Sequence, residues 1–382
     1  MRSANPISAS LGRLLNCDSS KGDKGKSVAV FLGRFWQGAV LGLGLVAWSG
    51  VGHTADAPGE GASRWRMATS WSAATPVLGE TAARFAEQLR SATRGRLELR
   101  IEEPAQHKSP QGVLEMVRSG SYEIGFTASH FSRVRETPLA YFAAMSFGMS
   151  EAERLAWLQS GGGLGRLQET LSYQGLQAHP LGNLVLESGL WTRRELKSIE
   201  ELRGLRLRAP GELGAALKRL GVRGVALPLA ELSEAFAQNR VDALEWPGAA
   251  ETALLMGQGP RYFYPAWQDP AAEVFLLVNR EKYASLPADL QTALAAAIKA
   301  LAQELQGAAL GYHPRRLEKI AKAKVELRAL PRELAQALRD ANEEALREQA
   351  SRSAETDEAY QERQAFLARW RDWARQGLAP MR

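Results

Sequence analysis

The sequence predicts a two-lobed α/β protein that ends in long helices, and three observations carry that prediction. The chain has 382 residues, more than a single hydrophobic core usually spans, so two substantial lobes are expected. Helix and strand patterns alternate in two successive series, which implies sheets with helices laid on their faces. From Pro287 onward the pattern is almost wholly helical. Composition agrees with a folded chain, at 45% hydrophobic and 24% charged residues, and excludes a disordered tail, a collagen-like rod and a polytopic membrane protein.

The first segment reads as an export signal. Arg2, Arg13, Lys21, Lys24, Lys26 and Arg34 precede an uncharged run from Phe35 to Val51, and small residues follow up to Ala57. Positive flank, apolar segment and small-residue exit describe a secretory signal peptide with an extended basic leader, assigned to residues 1–57. The apolar run is at the short limit for a membrane span, so an uncleaved anchor is the competing reading. Removing the segment lowers the net charge from +6 to +3 and takes away the single cysteine, Cys17.

The first α/β series begins at Trp65. Val77 or Leu78, then Ala82, Phe85 and Leu89 recur at helical spacing, after which Leu97, Leu99 and Ile101 alternate as a half-buried strand. Ser109 and Pro110 predict an N-cap and first helical position ahead of Val113, Leu114 and Val117, and a short strand follows near Ile124 to Thr127. Ser150 and Glu153 form a capping box, and the helix it opens is expected to break at Gly161 to Gly163.

A second series runs from about residue 184: strand Leu205 to Ala209, helix Leu213 to Leu220, strand Val225 to Leu227, helix Leu229 to Gln238, strand Val241 to Glu245. Val274 to Val278 is apolar without interruption, the signature of a strand buried on both faces, and is expected to return the chain to the first lobe. Helices should start at Pro287 and Pro331, and Glu343 to Arg375 reads as helix with Trp370 and Trp373 on one face. The division expected is therefore lobe 1 at 62–183 and 274–330, lobe 2 at 184–273, and a C-terminal helical extension at 331–382.

Enzyme signatures are missing. The sequence contains no G-x-S-x-G elbow, P-loop, H-E-x-x-H or strand-to-helix G-x-G-x-x-G, and His107, His130, His179 and His313 are widely separated. The small basic excess does not cluster, so no nucleic-acid partner is expected. A ligand-binding module fits better than a secreted hydrolase, with the ligand held between the lobes.

Several motifs in order bear a resemblance. They are W-R-M-A-T-S-W at 65–71, Glu123-Ile124-Gly125 leading to Ala128-Ser129, F-G-M-S at 147–150, and G-N at 182–183 leading to Gly189 and Trp191. The most specific are L-R-G-L-R-L-R-A-P-G at 202–211, V-D-A-L-E-W at 241–246 and Y-F-Y-P-A-W at 262–267. Together they resemble the periplasmic solute-binding proteins of tripartite ATP-independent periplasmic (TRAP) transporters, in particular the branch that binds 2-oxo acids with a metal ion. The resemblance implies the two-lobe periplasmic binding protein fold with a cleft between lobes, a Gram-negative type periplasmic location, no catalysis, and delivery of a small carboxylate to integral-membrane permease subunits. A receptor for a signalling partner is the alternative function.

The resemblance also implies site residues. Arg208 matches the family's carboxylate-pairing arginine, and a planar guanidinium supplies two parallel donors that lysine cannot. Arg206 shares its strand face, so either arginine has a path to a cleft. The ion of the metal-dependent branch falls on Glu187, Glu245, the Trp246 carbonyl and Asp269, an oxygen-only set suited to Ca²⁺ or Na⁺. Glu187 stands where relatives carry glutamine, and it is also a candidate for a cationic part of the ligand. Trp71, Trp191, Trp246 and Phe131 are candidate pocket walls. After Glu-Trp the chain reads Pro247-Gly248-Ala249-Ala250-Glu251-Thr252, without the tyrosine relatives have, which implies an enlarged or less polar pocket. In some relatives the C-terminal helix forms a homodimer, an expectation the periodicity leaves open here.

Overall fold

The computed structural model of the chain describes residues 62–128, 131, 149–183, 188–209, 211–225, 227, 231–247, 260–265, 267 and 273–377. The expected signal segment lies outside these. The described residues form two mixed sheets flanked by helices, and among them no helix is long and apolar enough to cross a membrane.

The first sheet has strand order β2-β1-β3-β10-β4, from β1 (Ser63–Thr69), β2 (Leu97–Glu102), β3 (Ile124–Ala128), β4 (Leu176–Asn183) and β10 (Glu273–Asn279). β1 runs parallel to β2 and β3, whereas β10 is antiparallel to both β3 and β4. One face is covered by α1 (Leu78–Ala92) and the first part of α10 (Ala288–Lys322), the other by α3 (Val113–Arg118), α4 (Glu151–Ser160), α5 (Gly163–Ser172) and α12 (Ala354–Arg375). β10 therefore sends Phe275 and Leu277 into one core cluster and Val274, Leu276 and Val278 into the other. All seven of its residues are buried, which is why its sequence shows no alternation.

The second sheet has order β11-β9-β5-β8-β6-β7, from β5 (Ser188–Thr192), β6 (Arg206–Arg208), β7 (Arg223–Gly224), β8 (Ala243–Pro247), β9 (Tyr262–Tyr264) and β11 (Glu326–Leu327). Its helices are α6 (Ile199–Arg203), α7 (Gly211–Arg219) and α8 (Leu232–Ala237). Short α2 (Pro104–His107) and α9 (Arg280–Ser285) complete the first lobe.

Two helices contribute to both lobes. On α10, Leu290 to Leu305 pack in the first lobe's core, while Leu317 and Ile320, beyond Pro314, pack in the second's. α11 (Arg332–Ala350) places Leu334 and Leu338 in the second lobe's core and Leu346 and Ala350 in the first's. The segment 274–330 thus joins both sheets, because β11 pairs with β9.

Local differences from the sequence reading have physical causes. Ser109 makes no side-chain capping bond, and Pro110–Gly112 is a 3₁₀ turn that runs into α3; the Ser109 N–H donates to His107 Nδ1 at 3.2 Å. Gly161 closes α4, but Gly163 at once opens α5. The strand expected at Val225 to Leu227 is β7, two residues earlier and at the sheet's edge; Val225 and Leu227 pack against the second lobe's core instead. Glu343 to Arg375 is two helices, since α11 ends at Ala350 and Ser353, extended, caps α12 by accepting the Thr356 N–H at 3.2 Å. The break lets Leu346 on α11 and Tyr360 on α12 fold into one cluster as an αα-hairpin. Trp370 and Trp373 are half-buried and meet edge to face at 5.0 Å.

Candidate functional site

In open α/β sheets, ligands bind outside the carboxyl ends of the parallel strands. Arg208 is the last residue of β6, and Glu245 lies near the carboxyl end of the adjacent parallel strand β8. In the first lobe, Trp71 follows the carboxyl end of β1 and Phe131 that of β3. Four of the expected site residues therefore stand at strand carboxyl ends, two in each lobe.

Arg208 is only 9% exposed. Its Nη1 donates to the Glu245 carbonyl oxygen at 3.2 Å, the single hydrogen bond it makes to described residues. Burial pulls its pKa below the usual arginine value, and the charge of Glu245 acts in the opposite sense. A guanidinium stays protonated in any protein, so the strand carries a desolvated cation with donors to spare. An anion with paired oxygens relieves that cost.

Arg206, the competing arginine, is committed elsewhere. Its backbone N–H, Nε and Nη2 all bond the Asp242 carboxylate, each at 2.9 Å, and the neighbouring guanidinium holds Asp242 below the usual carboxylate range. That pair closes the base of the β6–β8 ladder and occupies the Arg206 guanidinium.

Glu245 is 5% exposed and sits opposite Leu190 of β5, as Trp246 sits opposite Gly189. Gly189 is required by a close approach: a Cβ there would lie 1.9 Å from the Phe263 ring. β5, β8 and β9 can then register with Glu245 and the Trp246 backbone at the sheet's end. Both groups offer oxygen only, which fits a hard cation such as Ca²⁺ or Na⁺. Among the described residues no cluster of three or more His, Cys, Asp or Glu is arranged for a metal. Glu187, Asp269 and the Trp246 side chain lie outside the described residues, as do positions 248–252 of the divergent stretch.

The aromatic candidates separate into two kinds. Trp71 is half-buried and meets Phe126 and Phe131 edge to face, with centroids 5.2 and 5.4 Å apart. A small recess beneath it is lined by Thr69, Ser72, Leu78, Ala82 and Phe126. Trp191 is different. It is 3% exposed, lies tilted by 32° against Phe263 with centroids 4.2 Å apart, and packs in the second lobe's core.

Sequence reading missed the groups that hold the Trp71 loop. Ser70 Oγ meets Thr127 Oγ1 at 2.7 Å and donates to the Pro110 carbonyl at 2.8 Å. His107 Nε2 contacts the Thr69 carbonyl at 2.8 Å and Nδ1 accepts from Ser109, which makes Nε2 the protonated nitrogen. The T-S step inside W-R-M-A-T-S-W was the available signal.

A family model for bacterial extracellular solute-binding proteins, family 7, matches residues 67–353. The chain belongs to that family. Among solved structures, a TRAP periplasmic solute-binding protein from Pseudoalteromonas atlantica, with bound sodium and pyruvate, is 34% identical with a TM-score of 0.72. One from Colwellia psychrerythraea, with bound calcium and pyruvate, is 32% identical with a TM-score of 0.74. Each comparison covers 82% of this chain and 96% of the other. The monocarboxylate 2-oxoacid-binding periplasmic protein of a Nostoc species is 32% identical over 232 residues, 60% of this chain and 63% of its own length. The match thus spans less than two thirds of the Nostoc protein.

Proposed function

We propose that this family 7 protein is a periplasmic receptor that captures a small monocarboxylate, a 2-oxo or hydroxy acid, together with a bound cation, and hands it to a TRAP permease for ion-gradient-driven uptake. The observation that carries the reading is Arg208: a buried guanidinium at the carboxyl end of a parallel strand with one described hydrogen bond. It neutralises the ligand carboxylate. Glu245 and the Trp246 carbonyl hold calcium or sodium, with Glu187 and Asp269 as further ligands, and the ion bridges to the acid's 2-oxygen. Trp71 and Phe131 cover the carbon portion from the first lobe, with Trp246 as a further wall. The 2-oxo acid class is supported by the relatives that carry pyruvate with sodium or calcium. The signalling alternative draws no support from them. The test is calorimetry with pyruvate in the presence of calcium: Arg208→Ala binds far more weakly than the wild type, whereas equal affinity overturns the reading.

A further inference from the structure

Glu273 and Asn183 are opposite one another in the β10–β4 ladder. They are the residues at which the chain re-enters the first sheet from the second and leaves it. At this seam lies a buried polar network that includes none of the residues assigned to the ligand or the cation. Glu273 is 0% exposed and Arg154, on α4, is 3% exposed. Arg154 Nη1 lies 2.8 Å from Glu273 Oε2, and Glu273 Oε1 accepts the Gly182 N–H at 3.1 Å.

The network continues outward. Arg154 Nη2 donates to Glu151 Oε1 at 2.6 Å, and that oxygen also accepts Gln306 Nε2 of α10 at 2.9 Å. The Gln306 side chain closes back on Gly182, where a Cβ would lie 2.8 Å from Gln306 Cγ. Gly182 has φ +124°, a conformation open to glycine. Beside it the ladder shifts register between Val274 and Phe275, a bulge of the kind that re-aims a strand.

Stability alone is a poor account of this arrangement. Replacing a buried ion pair with apolar groups of similar volume is commonly neutral or stabilising, because desolvation offsets the attraction. What an apolar filling does not reproduce is direction: the pair fixes the Gly182 N–H, the first residue of β10, the first turn of α4 and the middle of α10 relative to one another.

We propose that Arg154 and Glu273 are positioning residues that lock the first-lobe ends of both crossing strands to α4 and α10 as one rigid unit, and so set the spread of the two lobes in the unliganded protein. The inference does not depend on which ligand the cleft takes.

The test uses the full chain with Cys17→Ser, which removes the only cysteine, and spin labels on cysteines introduced at exposed Tyr173 in the first lobe and Lys218 in the second. Pulsed electron spin resonance without ligand reads the inter-label distance distribution. The double variant Glu273→Leu with Arg154→Met should keep a melting temperature near that of the parent while the distribution broadens about twofold or shifts. A folded double variant with the parent distribution overturns the proposal. If the double variant does not fold, Gln306→Met cuts the tie to α10 and leaves the ion pair intact. Broadening there upholds the proposal and an unchanged width overturns it.

Discussion

The Arg208 guanidinium is held 3.2 Å from the carbonyl oxygen of Glu245, across two parallel strands of the second sheet. A backbone acceptor thereby orients the arginine, and the Glu245 charge favours its protonated form.

This leads to a pair of expectations for substitutions at Arg208. Arg208→Ala should lose about 100-fold or more in pyruvate affinity, since truncating one partner of a buried charge contact costs about 2–5 kcal/mol. Arg208→Lys should lose at least about tenfold despite keeping its charge, because the parallel donors are gone. Arg208→Lys should keep the melting temperature of the free protein near that of the wild type, so that its loss of affinity reads the contact and not the fold. Lysine binding as well as arginine in calorimetry would contradict the bidentate role.

The cation site is open to a thermal-shift measurement. A ligand at about 100 times its Kd stabilises the folded state by about 2.7 kcal/mol, so calcium titrated into the demetallated protein should raise the melting temperature. Glu245→Gln should shrink that rise. A wild type indifferent to both calcium and sodium would remove the metal from the proposed site.

Two buried groups should give the stability profile opposing slopes. His179 is pushed down to about 4 by burial, and its Nε2 has no partner among the described residues. The unfolded chain takes up that proton first, so its contribution is fully present above about pH 6.5 and is lost as pH falls towards 4, amounting to about 3 kcal/mol. Burial pushes Glu273 up to about 7, against the pull of Arg154. Its folded form holds the proton more tightly, so its contribution is present below about pH 4.5 and is lost as pH rises through about 7. Denaturant titrations across this range should lose the acid-side rise in His179→Leu and the opposing fall in Glu273→Gln. A His179→Leu profile with the wild-type slope between pH 4 and 6.5 would refute the first assignment.

Trp191 and Trp71 should respond in opposite ways. Trp191→Ala removes a fully packed indole and should cost about 3–5 kcal/mol of stability. Trp71→Ala, at a half-buried position beside Phe131, should weaken ligand binding with a smaller loss of stability. Chemical denaturation paired with calorimetry separates the two, and equal stability losses would place both in the core.

Elements with local determinants were readable in advance. The capping box of α4 is present as a reciprocal pair, with Glu153 N–H to Ser150 Oγ at 3.3 Å and Ser150 N–H to Glu153 Oε2 at 2.7 Å. The unbroken apolar run of β10 announced a strand covered on both sides. The motif left Arg206 and Arg208 equivalent, because the pairing that occupies Arg206 rests on Asp242, a partner next to another strand. The core packing of Trp191 was hidden for a related reason: Leu190 and Trp191 are both apolar and both buried, and on a covered strand such neighbours do not reveal what each face meets. Arg154 and Glu273 lie on elements distant in sequence, and no periodicity links them. The turn between α11 and α12 carries neither glycine nor proline, so only the Ser353 cap marked it.

The two helices shared between the cores bear on how this chain can be cut. The strands β4 to β5 and β9 to β10 carry it between sheets, α10 carries it to the second core, and α11 brings it back to the first. Neither lobe is a contiguous stretch of gene. A stop codon ahead of Pro331 would strip Leu334 and Leu338 from one core and Leu346, Tyr360 and Leu367 from the other. The carboxyl-terminal helices are thus shared masonry, and a product ending before them should fail in both halves at once.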